Sequence, residues 1–356
     1  MTSDRVVPPR DDVALMDGYH SPQVDVTVRL NTNESPYPPP PEFVRALTDE
    51  VARVQWHRYP DRSALALRSA LGDSHGQPPS RVFAANGSNE VLQTICLTYG
   101  GPGRSAAVFE PTYALHSHIA RITGTGVVEG ERSADFTLDM DEVARVLREA
   151  SPDITFLCSP NNPTGRVEPR EVIESVLELA PGLVVVDEAY GQFAPWSAVS
   201  LVDESRPLVV SRTYSKTWSM AAMRLGYCVG PSWAVEELSK VVLPYHLDSV
   251  KQAAGRLALA YQPQMEARVA ALVEERGRVS AALGELPVDT WPSGANFVLF
   301  RPRGVDGETV WKALLERSIL VRNCASWPRL DGCLRVTIGT PAEDDAFLSA
   351  LKEILG

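Results

Sequence analysis

Five short apolar runs, each closed by a polar cluster, constrain this 356-residue chain more than any other feature. They are Val82–Ala85, Ala106–Phe109, Ile154–Cys158, Leu183–Val186 and Leu208–Val210. Runs so continuous in apolar character suit strands covered on both faces, and helix-like segments separate them. Strand and helix alternating in this way build a mainly parallel sheet inside an α/β domain. The closing clusters are Asn86–Glu90, Glu110–Tyr113, Ser159–Gly165, Asp187–Tyr190 and Ser211–Lys216. All follow the carboxyl ends of their strands, the edge on which open α/β sheets take ligands.

The clusters differ in the chemistry they offer. Lys216, in a loop after its strand and followed by Arg224, can form an imine with a carbonyl cofactor while Thr213, Ser215 and Arg224 hold a phosphate. Taken alone, the hexapeptide reads as readily as a solvated surface lysine. Asp187 ends a strand so apolar that its carboxyl would titrate high unless a cation paired with it. A protonated pyridine nitrogen would serve, and so would an arginine. Ser88 and Asn89, at the mouth of the helix after Gly87, form either an anion site of free backbone N–H groups or an ordinary helix cap. The two prolines and the glycine of Ser159–Gly165 force a stiff turn that aims an asparagine amide at the sheet edge. Tyr113 can stack on a planar ring or simply pack. Gly100–Gly103 lacks the spacing of a nucleotide loop and reads as a helix stop.

A formal charge of −11 with no Lys/Arg-rich run argues against nucleic-acid and anionic-membrane partners. Positive charge that binds substrate must therefore be local, a few arginines in a pocket. No apolar run approaches a membrane span, and the first thirty residues are polar and proline-interrupted, unlike a signal peptide. The five cysteines (Cys96, Cys158, Cys228, Cys324, Cys333) are scattered, which suits reduced thiols and a cytoplasmic location. His116 and His118 stand two apart, on different sides of a helix, and no metal site is expected.

Outside the sheet, residues 1–28 read as a polar arm, followed by a turn-rich loop from Val28 to Tyr37 and a rigid four-proline spacer. Helices are expected over Pro41–Val54 and over Ser63–Leu71, the second stopping at Gly72. The stretch from about Ser249 to Leu283 is helical in pattern and suggests one long strut joining two domains. After it come a strand at Asn296–Phe300, a helix at Gly307–Arg317, strands at Ile319–Arg322 and Cys333–Ile338, and a helix at Ala342–Leu355. This is a smaller α+β module.

In order along nearly the whole chain stand LNTNESP (Leu30–Pro36), YPD (Tyr59–Asp61), GSNE (Gly87–Glu90), EPTY (Glu110–Tyr113), NNPTG (Asn161–Gly165), DEAY (Asp187–Tyr190), RTYSKTWSMAAMRLG (Arg212–Gly226) and LRVTIG (Leu334–Gly339). As an ordered set they resemble the fold-type I pyridoxal-phosphate aminotransferases, most nearly the histidinol-phosphate branch. The resemblance implies a large domain at 45–244 with a mainly parallel seven-stranded sheet. Residues 1–44 with 245–356 would form the arm and the small domain.

The resemblance also assigns residues. Lys216 would carry the cofactor and move the proton, and Asp187 would keep the pyridine nitrogen protonated. Asn162 and Tyr190 would bond the ring hydroxyl oxygen, and Tyr113 would stack on the ring. Ser88, Asn89, Thr213, Ser215 and Arg224 would hold the phosphate, joined by Tyr59 of a neighbouring subunit in a homodimer. Arg335 would bind a substrate carboxylate, Arg322 and Tyr19 would contact the substrate phosphate, and Asn33 would contact the substrate. Ala222 stands where the family has glycine, and Asn89 where it has aspartate. The implied reaction is a ping-pong exchange between an amino donor such as glutamate and a keto acceptor such as imidazole-acetol phosphate. An aromatic-amino-acid transaminase, a threonine-phosphate-type decarboxylase and a ligand-sensing regulatory module are the alternatives. The last of these lacks spare length and basic charge for a DNA-binding domain.

Overall fold

The computed structural model describes residues 7–14, 16, 18 and 24–356. Its strands are β1 (Val28–Leu30), β2 (Val82–Ala85), β3 (Ser105–Glu110), β4 (Gly126–Glu131), β5 (Ile154–Cys158), β6 (Leu183–Asp187), β7 (Leu208–Thr213), β8 (Gly226–Val229), β9 (Val288–Thr290), β10 (Phe297–Pro302), β11 (Ile319–Asn323) and β12 (Leu334–Thr337). Seven form one sheet in the order β2-β8-β7-β6-β5-β3-β4. The β7-β6-β5-β3-β4 pairings are parallel, whereas β8 runs antiparallel to both β7 and β2. Parallel neighbours need a crossover, supplied by α-helices except between β6 and β7, where two 3₁₀ turns at Gly191–Phe193 and Ala198–Leu201 make it; an antiparallel neighbour can follow by a short return. The return from β7 to β8 is the loop that carries Lys216 and Arg224.

The apolar runs are continuous because both faces of this sheet are covered. Val184, Val186, Leu208 and Val210 pack into one core, while Leu183, Val185 and Val209 pack into another on the opposite face. Alternate residues of one strand thus serve two cores. The smaller domain carries the five-stranded sheet β1-β11-β12-β10-β9, with its own core around Phe297, Phe300, Leu314 and Phe347.

Several expectations need correction. The helix expected to stop at Gly72 runs from Leu65 to His75 and ends at Gly76, whose φ is 63°. Gly72 lies inside it because a Cβ there would come within 2.4 Å of the Gln77 carbonyl oxygen. The helix starts two residues late because the Asp61 carboxylate accepts from the Ser63 and Leu65 N–H groups and holds a turn there. The single strut is two helices, Ser249–Ala258 and Gln262–Gly284, joined by a 3₁₀ turn at Leu259–Tyr261. Pro263, with no N–H and a ring that clashes with the preceding turn, fits only where a helix begins. The end of the arm is not loop throughout. Val28 and Leu30 are buried, and β1 pairs parallel with β11.

Candidate active site

The carboxyl ends of β2, β5, β6 and β7 converge on a cavity of about 380 Å³. Its lining includes Lys216, Asp187, Asn162, Tyr190, Tyr113, Ser88, Asn89, Thr213, Ser215, Arg224, Asn33, Arg335 and Arg322. Of the described residues assigned to the site from the sequence, Tyr59 alone is missing from it, being 80 % exposed elsewhere on the surface. Tyr19 lies outside the described residues.

Lys216 Nζ donates to the Thr32 carbonyl at 2.9 Å. Burial pulls its amine down to about 8, helped by Arg335 and Arg224 and opposed by Glu34. A half-buried lysine that titrates so near neutrality can give a proton as the ammonium and take one as the amine. Asp187 closes β6 with its carboxylate buried. One oxygen accepts from the Ala189 N–H at 3.0 Å, and the other meets His116 Nε2 at 3.1 Å. His116 is itself held flat against Phe156, ring centroids 4.9 Å apart, and edge-on to Tyr113.

Asn33 Nδ2 donates to the Tyr190 hydroxyl at 2.8 Å. Burial pushes that phenol up to about 12, so its proton stays on and can be donated. Arg335 NH1 donates to Asn162 Oδ1 and NH2 to the Asn31 carbonyl, while its guanidinium lies 5.0 Å from the Phe297 ring centroid. Its buried Nε has no partner. That donor suits the second oxygen of a bidentate carboxylate.

At one end of the cavity the helix Ser88–Tyr99 begins, with its first backbone N–H groups turned to the same space as Thr213, Ser215 and Arg224. Gly226 makes the close approach possible. A Cβ there would sit 2.3 Å from the Ser88 nitrogen and push the helix mouth away. Arg224 NH1 reaches the Ser215 hydroxyl at 3.4 Å. Ala222, standing in place of glycine, is not in the left-handed region, so its side chain costs no backbone strain. The Asn89 side chain accepts from Tyr113 OH at 3.2 Å, which leaves its backbone N–H for an anion.

Two contributors escaped the sequence reading. His116 lies in the first turn of the helix Leu115–Ile122, and its N–H donates to the Tyr113 carbonyl just before that helix at 2.9 Å; the short separation from Tyr113 was the available signal. Arg212 is buried against Glu188 at 2.7 Å and steadies the segment beside Asp187. Among the described residues there is no cluster of three or more metal-type ligands, and no helix is long and apolar enough to cross a membrane. All five cysteines are free and buried.

The donors fit pyridoxal phosphate by their chemistry: a lysine amine for the aldehyde, a carboxylate for the ring nitrogen, an amide and a phenol for the ring oxygen, and a hydroxyl-and-arginine cup for the phosphate. Fold and site together define the class, a fold-type I pyridoxal-phosphate-dependent enzyme. The sequence profile of the Aminotransferase class I and II family matches residues 25–351. A histidinol-phosphate aminotransferase of Corynebacterium efficiens is 42 % identical over 98 % of this chain and 95 % of its own length. One from Thermobifida fusca is 44 % identical over 98 % and 96 %. In three dimensions, a histidinol-phosphate aminotransferase of Sinorhizobium meliloti crystallised with pyridoxal-5′-phosphate superposes with a TM-score of 0.90. It covers 99 % of this chain and 98 % of its own at 20 % identity. The chain belongs to the class I and II aminotransferases.

Proposed function

We propose that this aminotransferase moves an amino group in ping-pong fashion between L-glutamate/2-oxoglutarate and histidinol phosphate/imidazole-acetol phosphate, a step of histidine biosynthesis in the cytoplasm. The observation that carries this reading is a pair of guanidinium groups. Arg322 on β11 and Arg335 on β12 are cross-strand partners, and both line the cavity that holds Lys216. Two separate cations suit substrates with two anionic ends, or with one anionic end that alternates in kind, such as a carboxylate and then a phosphate.

Bound pyridoxal phosphate supplies the electron sink that lets a proton leave the substrate's α-carbon. The chain's own groups do the rest. Lys216 Nζ would take that proton from the α-carbon and deliver it to C4′ of the cofactor. The Asp187 carboxylate, held by His116 and the Ala189 N–H, would supply fixed negative charge at the pyridine nitrogen. Tyr190 OH and the Asn162 amide would orient the ring oxygen, Tyr113 would cover the ring, and Ser88, Asn89, Thr213, Ser215 and Arg224 would hold the phosphate. Arg335 grips the carboxylate, and Asn33 fixes the Tyr190 phenol. On this reading residues 45–244 form the cofactor domain, and the arm with 245–356 forms the substrate-closing domain.

A substrate panel tests the assignment. With 2-oxoglutarate as acceptor, histidinol phosphate is expected to be deaminated with a kcat/KM at least about 100-fold above that for phenylalanine, because a desolvated guanidinium left without its anion is costly. Faster turnover of phenylalanine would mark an aromatic transaminase, and release of carbon dioxide a decarboxylase.

We also propose that the enzyme works as a homodimer with shared sites. Tyr59 is stacked on Tyr245 with ring centroids 4.5 Å apart, and Trp56 and Leu243 are 70 % and 77 % exposed. So much exposed apolar and aromatic surface suits a second copy. Removing the hydroxyl in Tyr59→Phe is expected to weaken cofactor binding about tenfold, the worth of one charge-assisted hydrogen bond. Equilibrium dialysis of the cofactor would read this change, and a fully active monomer on sedimentation would refute the shared site.

A further inference from the structure

The loop between β11 and β12 crosses from the smaller domain to the larger one, and one side chain in it touches both. Its base continues the ladder, with Cys324 N–H donating to the Cys333 carbonyl at 2.9 Å. Cys324, Leu330 and Cys333 are buried together with Phe136, which comes from the connection after β4. Arg329 adds a second attachment, donating to the carbonyls of Arg132 and Ser133. The loop is therefore fixed at its stem and at its far side.

Between these attachments lies Trp327. Its indole Nε1 donates to the Thr112 carbonyl at 3.0 Å, one residue before the ring-covering Tyr113. Thr112 is a firm anchor, since its N–H bonds Glu110 at 2.9 Å and its hydroxyl bonds Asn161 at 2.8 Å. The indole also lines the catalytic cavity, and the Arg322 guanidinium sits 5.1 Å from its ring centroid. A guanidinium on an aromatic face is held by the π-system, which fixes the plane of its N–H fork.

We propose that Trp327 is a positioning residue for Arg322 and thereby a determinant of substrate specificity. It ties the small-domain guanidinium to the large-domain strand end that carries Tyr113. The span between the reacting end of the cavity and its far anion-binding end is then set by one indole. Substrates with an anion at the matching distance are favoured over shorter or uncharged ones. The claim rests on the phosphate-ended substrate assigned above.

The test is steady-state kinetics of Trp327→Ala, Trp327→Phe, Arg322→Ala and the double variant Trp327→Ala/Arg322→Ala, with cofactor absorbance and Tm recorded for each. Trp327→Ala is expected to raise KM for histidinol phosphate roughly 3- to 30-fold, the range that loss of a cation–π contact allows, with a smaller fall in kcat. Trp327→Phe, which keeps an aromatic face but loses the Thr112 bond, should recover part of that loss. In the Arg322→Ala background the tryptophan substitution should add less than about a factor of two, because interacting residues are non-additive. An equal further loss in that background, or a fall in kcat with KM unmoved, overturns the proposal. If the unmodified enzyme does not turn over histidinol phosphate, the substrate reading fails. Inorganic phosphate as inhibitor then decides the positioning claim. The inhibition that Arg322→Ala removes must also weaken in Trp327→Ala, and unchanged inhibition refutes it.

Discussion

Lys216→Ala is expected to lower turnover by about 10⁴-fold or more, the upper range for loss of a positioned acid–base group, and to abolish the visible absorbance of lysine-linked cofactor. Both losses follow from one amine. It is half-buried, bonded to the Thr32 carbonyl at 2.9 Å, and pulled down to about 8 chiefly by desolvation. Among the described residues lining the cavity no other amine is present that could replace it. Lys216→Arg keeps the charge but cannot surrender a proton near neutrality, so it should be as inactive as alanine. Retained turnover in either variant would remove the basis of the reaction. The lowered amine also has a signature in pH. In the cofactor-free protein, the unfolded chain binds more protons than the folded one between about 8 and the amine's ordinary 10.5. The lysine's contribution to stability is therefore full above 10.5, declines as pH falls, and is lost through 8. Thermal melts of the cofactor-free enzyme across that window, compared with Lys216→Met, should show the difference.

The parallel core was legible because strands buried on both faces announce themselves. Leu183–Val186 has no polar residue to lose, and its carboxyl end could be read directly as the place where Asp187 faces the ligand edge. Lys216 and Asn162 could be placed at the cavity for the same reason, each lying within a few residues of such an end, whereas Arg224 stands just before β8. What the sequence concealed depends on contacts between distant segments. His116 matters because Asp187, far along the chain, comes to 3.1 Å from it. Periodicity can place His116 on a helix face but cannot say which strand end that face meets. Trp327 sits in a loop without periodicity, and its roles exist only because Thr112 and Arg322 lie on either side of it. The break at Leu259–Tyr261 was missed because the apolar pattern continues across it, although Pro263 was visible. The arm's strand β1 is three residues long, too short for alternation to register before its partner β11 is known.

Asp187→Ala should cost about 10³-fold in kcat, on the scale of a lost preorganised electrostatic group, and it should damage the fold as well. The carboxylate is buried and serves as acceptor for two groups, the Ala189 N–H and His116 Nε2. Removing it leaves both without an acceptor, at about 1–3 kcal/mol for each unsatisfied buried group. Alanine therefore confounds charge with packing. Asp187→Asn separates them, since its amide oxygen can still accept from Ala189 and its volume is almost unchanged, yet it carries no negative charge. The asparagine variant is expected to melt within a few degrees of the unmodified enzyme and to retain bound cofactor. It should still lose most of the roughly 10³-fold, because an uncharged amide does not hold a pyridine nitrogen in its protonated form. His116 sharpens the expectation. Stacked flat on Phe156 and edge-on to Tyr113, it has little freedom to swing toward the space that the charge vacates. An asparagine variant within about tenfold of full activity would show that this carboxylate does not govern the ring nitrogen, and the charge that makes the cofactor an electron sink would have to be sought elsewhere in the cavity.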